Sequence, residues 1–148
     1  MRALKPWTLL LVAITVLTPA MADGPSTRVS QVWIREAPPG ASVLAAYFTL
    51  ENLTAGVLSL DSVNSPDFTT IEIHQSIEQD GQESMKKLDK LAVPPHGSVE
   101  FKPGGYHLML MQPHKALHSG DTVSLALMFS DGSALAILAP VRRDPPLH

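Results

Sequence analysis

The chain has 148 residues, 45% hydrophobic and 17% charged, which suits one domain with its own core and is short of two. Its formal net charge of −3, with no basic run longer than Lys86-Lys87 or Arg142-Arg143, supplies no field for a phosphate backbone and excludes nucleic acid as a partner. The absence of cysteine removes disulfides, thiolate metal sites, a cysteine nucleophile and the blue-copper type of electron-transfer centre.

Residues 1–22 read as a signal peptide cleaved after Ala22. Arg2 and Lys5 precede the apolar run from Trp7 to Leu17, and the small-residue sequence Ala20-Met21-Ala22 follows it. The apolar stretch is shorter than the roughly 20 residues of a membrane-spanning helix. No cysteine follows it to take a lipid, so the expected product is a soluble periplasmic domain, residues 23–148, without a membrane anchor.

Beyond Asp23 there is no long 3.6-residue stripe. Short stretches rich in Val, Ile, Thr, Tyr and Phe recur between Gly, Pro, Asn and Asp, which predicts an all-β sandwich. The expected strands are Val29 to Glu36, Leu44 to Glu51, Val57 to Val63, Thr69 to Ile77, Met85 to Leu91, Ser98 to Phe101, Tyr106 to Met111, Thr122 to Phe129 and Ala134 to Val141. Asp131-Gly132 supplies a hairpin turn between the last two. Pro38-Pro39-Gly40, Pro94-Pro95 and Pro103-Gly104-Gly105 mark connections, and the tail from Arg142 to His148 is expected to be loose.

Two of these strands carry chemistry. Period-two geometry puts Tyr106, Leu108 and Leu110 on an apolar face and His107, Met109 and Met111 on the other, so His107 and Met109 can serve one ion. In the earlier strand Ile71 and Ile73 alternate with Glu72 and His74, and a hairpin through the polar loop containing Gly81 returns Met85 to the neighbourhood of His74. Neutral imidazole with thioether favours Cu(I); zinc would be expected with thiolate, more imidazole or carboxylate, and magnesium or calcium with oxygens. Only the histidines would compete with protons, around the ordinary imidazole pKa of roughly 6.5.

The spacing His74, ten residues, Met85, twenty-one residues, His107, one residue, Met109 resembles the metal motif of the periplasmic copper chaperones of the PCuAC family. The resemblance runs from about Val29 to Arg142 and takes in Ala45-Ala46-Tyr47-Phe48-Thr49-Leu50-Glu51-Asn52, Glu72-Ile73-His74, Pro103 to Met111 and Gly120-Asp121. It implies a cupredoxin-like Greek-key β-sandwich with Cu(I) on His74, Met85, His107 and Met109. It also implies supply of copper to the binuclear centre of cytochrome c oxidase, through transient contact with a Sco-type protein or with oxidase subunit II; a monomer is expected. The chain departs from the family in following His74 with Gln75-Ser76, where a methionine is common, and in lacking a His- and Met-rich tail.

Other residues stay open at this level. Met111 shares the face of Met109 and is either a substitute ligand or packing beneath the site. His114 and His118, four apart, would form a secondary site if their stretch were helical, and are otherwise solvent-exposed; His148 is a lone tail histidine. His96 falls at a turn, and Met128 reads as packing. Two other functions fit less well. A zinc hydrolase using His74, His107 and Glu72 as base lacks a third N or O ligand and would be weakened by thioethers, so no enzyme is expected. A metal-free adhesion or assembly sandwich leaves the His and Met spacing unexplained.

Overall fold

The computed structural model describes residues 24–147. The expected signal peptide lies outside the described residues, as does His148. Among the described residues no helix is long and apolar enough to cross a membrane. Ten strands follow in order: β1 Thr27–Arg35, β2 Val43–Asn52, β3 Leu58–Asn64, β4 Phe68–Gln79, β5 Gln82–Leu88, β6 Leu91–Val93, β7 Ser98–Phe101, β8 Tyr106–Pro113, β9 Thr122–Phe129 and β10 Ala134–Arg142.

The strands form two layers. One has the order β5-β4-β8-β7-β2-β1, the other β10-β9-β3-β6, and they join where β1 runs parallel to β10 at Ile34 and Arg35. The chain passes between layers at β2–β3, β3–β4, β5–β6, β6–β7 and β8–β9, the crossover habit of a Greek-key sandwich. Alternation explains the packing. Val123, Leu125, Leu127 and Phe129 of β9 turn inward to meet Leu44, Ala46, Phe48 and Leu50 of β2 and Leu108 and Leu110 of β8 in one buried cluster. Each such leucine contributes about 2 kcal/mol by leaving water. Phe48 stacks on Phe101 with ring centroids 4.2 Å apart.

A second anchor is polar. Asn52, buried at the end of β2, donates through Nδ2 to the carbonyls of Gly56 at 2.7 Å, Val93 at 3.1 Å and Pro94 at 3.1 Å. Its Oδ1 accepts from the Thr54 amide at 2.9 Å and the Thr54 hydroxyl at 2.7 Å. The side chain thereby ties the β2–β3 turn to the β6–β7 connection.

Eight of the nine expected strands are present with ends within two residues of expectation, and β9–β10 closes over Asp131-Gly132, Gly132 having φ +82°. Val57, expected to open β3, instead lies outside it and is 65% exposed. The expected strand Met85 to Leu91 is two strands. β5 starts earlier because Asp80 and Gly81, at φ +54° and +75°, make a two-residue hairpin with β4. It stops at Leu88, and after Asp89 and Lys90 the chain enters the other layer as β6, paired with β3. The tail is also less free than expected. Arg143 donates from Nε to Glu36 Oε2 at 2.7 Å, and Pro145 and Pro146 line a groove with Trp33 and Tyr47. The guanidinium, with a hydrogen bond from the Ser119 amide, holds the Glu36 carboxyl below its ordinary pKa.

Candidate metal centre

The outer face of the β5-β4-β8 layer gathers the soft donors. β4 and β8 are antiparallel in a register that sets His74 directly opposite His107 and Glu72 opposite Met109. Residues opposite one another share a face, so His74, Glu72, His107 and Met109 form one block, while Ile73 and Leu108 between them enter the core. The two imidazole centroids are 5.9 Å apart. On β5, Lys87 stands opposite His74 and Met85 opposite Ser76. Met85 is thus one diagonal step from His74 on the same face. On the other side, β2 sets the small Ala45 opposite Met109.

The ring nitrogens are sorted by their partners. Gly105 bends the chain into β8, and its carbonyl accepts both the Ser76 amide at 3.1 Å and His107 Nδ1 at 3.1 Å. A carbonyl only accepts, so the proton sits on Nδ1 and the neutral ring keeps its lone pair on Nε2. For His74 the order is reversed. Nε2 donates to Glu72 Oε2 at 2.8 Å, which leaves the lone pair on Nδ1. His74 Nδ1 and His107 Nε2 are both buried, and both lack a hydrogen-bond partner. Glu72 in turn accepts from Lys87 Nζ at 2.7 Å, and Lys87 first, then His74, hold its carboxyl below the ordinary range.

Burying an imidazole nitrogen unpaired costs about 1–3 kcal/mol. Two of them on facing residues, beside the thioether of Met109, make a set that fits a soft monovalent ion. Among the described residues no group of three or more His, Asp or Glu is arranged to hold a metal.

The remaining candidates separate from this block. Met111 lies opposite Thr70 and Val43, one pair further along β8 than Met109 and two from His107. His114 and His118 do not lie on a helix, and the secondary site conditional on one is corrected. His114 donates from Nδ1 to the Pro66 carbonyl at 2.9 Å and has Nε2 3.2 Å from Thr69 Oγ1, whereas His118 lies 3.7 Å from Glu36. Their partners belong to different segments, the β3–β4 turn and the start of β4 for His114 and the β1–β2 connection for His118. His96 is at a turn, at φ +51°, and is exposed, as expected. The carbonyl of Gly105 was missed at the sequence level, and Glu72 was read there only as a base. Each sits two positions before its histidine, a local signal that the spacing carried.

The fold is that of a PCuAC-type domain. The copper-bound PCuAC domain of PmoF2 matches with a TM-score of 0.70 at 22% identity, over 83% of this chain and 97% of that one. The Cu(I)-bound DR1885 of Deinococcus radiodurans matches with a TM-score of 0.66 at 28% identity, over 81% of this chain and 80% of that one. The LpqE-like family model, described as one of lipoproteins, matches residues 27–141, and the chain belongs to that family. Lxx21020 of Leifsonia xyli subsp. xyli, which carries a lipoprotein name, is 30% identical over 122 residues, or 82% of this chain and 71% of that protein.

Proposed function

We propose that this chain is an exported copper(I) chaperone whose cargo is one Cu(I) held by His74, Met85, His107 and Met109. The observation that carries the reading is the pair of buried, partnerless nitrogens, His74 Nδ1 and His107 Nε2, on residues facing each other across β4 and β8. The likeness to Cu(I)-bound DR1885 at 28% identity supports the choice of ion. Imidazole with thioether supports it independently, because soft donors favour Cu(I) over zinc.

The four donors differ in how they release the ion. His107 is 5% exposed and fixed by Gly105, whereas Met85 is 58% exposed on an edge strand. An incoming thiolate or imidazole therefore replaces Met85 first, forms a mixed intermediate, and draws the ion away from the histidines last. No general acid, base or nucleophile is required, and we assign none. We propose that the chain works in the periplasm as a monomer. Its cargo passes toward the copper centre of cytochrome c oxidase, through a Sco-type protein or subunit II.

Anaerobic titration of the purified protein with Cu(I), read by native mass spectrometry, tests the site. One equivalent should bind, and His107→Ala and Met109→Ala should each lose it under competition from a Cu(I) chelator. Unchanged binding in both variants would overturn the assignment.

A further inference from the structure

His74 and His107 offer different nitrogens because their orienting partners differ in kind. His107 is set by a backbone carbonyl, which no substitution of Gly105 removes. His74 is set by a side chain, Glu72, whose two oxygens are divided: Oε2 takes the His74 Nε2–H at 2.8 Å and Oε1 takes Lys87 Nζ at 2.7 Å. Lys87 reaches it because the β4–β5 register puts Lys87 opposite His74, two positions from Glu72. The Glu72 side chain is only 19% exposed.

We propose that Glu72, anchored by Lys87, is the positioning residue of the site: it fixes the Nε2–H tautomer of His74 and so selects Nδ1 as that histidine's copper donor. An imidazole free of such a partner divides its proton between the two nitrogens and turns about its side-chain bonds, so only part of the population presents a lone pair inward. With both carboxylate oxygens engaged, Glu72 is also kept from becoming a hard oxygen ligand. The two histidines then form a mixed pair, one binding through Nδ1 and one through Nε2. This inference rests on the copper reading for its consequence, while the tautomer itself is a property of the metal-free protein.

Long-range 1H–15N correlation spectra of the 15N-labelled apo protein separate the two. In the wild type, His74 should be protonated on Nε2 and His107 on Nδ1. In Glu72→Ala, His74 should lose its single tautomer while His107 keeps its own, and Cu(I) affinity measured by chelator competition should fall about tenfold. In the double variant Glu72→Gln, Lys87→Met the one amide oxygen has no ammonium to serve and accepts from Nε2–H, so tautomer and affinity should return to within a few-fold of wild type. A His74 that stays protonated on Nε2 in Glu72→Ala would overturn the proposal, as would the Glu72→Gln, Lys87→Met variant failing in the manner of alanine. A wild type with the expected tautomers but no Cu(I) binding would instead sink the copper reading alone.

Discussion

His74 and His107 each take their orienting partner from two positions upstream: Glu72, which shares its side of β4, and Gly105, whose carbonyl is turned to the ring by the bend that enters β8. That local relation was legible in the sequence, as was the shared face of His107 and Met109. Which ring nitrogen each histidine offers was not legible. It depends on whether the neighbouring acceptor is a side chain aimed outward or a carbonyl turned by the Pro103-Gly104-Gly105 bend, and Gly104 adopts φ +80° there. Asn52 was equally silent, since nothing in an Asn-Leu-Thr sequence announces bonds to Val93 and Pro94 some forty residues away. Asn52→Ala takes one donor from the carbonyls of Val93, Pro94 and Gly56, of which Pro94 keeps the Gly97 amide and Gly56 the Thr54 hydroxyl, and should cost about 2 kcal/mol of stability. Urea unfolding should show a lower midpoint with an unchanged slope; a change under about 0.5 kcal/mol would mean that water replaces the side chain at no cost.

Among the elements, β4 and β8 hold the histidines and β5 supplies Met85. The pairing of β4 with β8 spans thirty-three positions between His74 and His107, and no local pattern sets a register at that range. Core-facing Ile73 and Leu108 set it, since a one-residue slip would turn both outward. β5 contributes little to the core; all its residues from Gln82 to Lys87 are exposed. Its position depends on the Asp80-Gly81 turn, where Gly81 holds φ +75° and an added Cβ would meet no atom within 4 Å. Gly81→Val therefore acts through backbone strain alone, about 1–2 kcal/mol. Because β5 lies at the sheet edge, the strain should fray the hairpin and weaken Cu(I) binding up to tenfold while leaving the global unfolding midpoint nearly unmoved. Loss of the whole fold in Gly81→Val would show that β5 carries more of the stability than its exposure implies.

At the scale of the molecule, the alternation of Val123, Leu125, Leu127 and Phe129 and the Pro and Gly punctuation were enough to read an all-β sandwich. Two features escaped that reading, the transfer of the chain from β5 in one layer to β6 in the other and the pinning of the tail by Arg143 on Glu36. Both are decided by packing between distant segments. The sandwich presents one apolar face of β4 and β8 to the core and leaves the opposite face to the histidines and Met109, so that in the proposed function metal binding and folding use different sides of the same strands. X-ray absorption spectroscopy of the Cu(I)-loaded protein tests that arrangement most directly. Two nitrogen and two sulfur scatterers in the wild type, with one sulfur lost in Met85→Ala, is the result predicted. A copper shell of nitrogen and oxygen only, or one unchanged when both Met85 and Met109 are replaced, would contradict it.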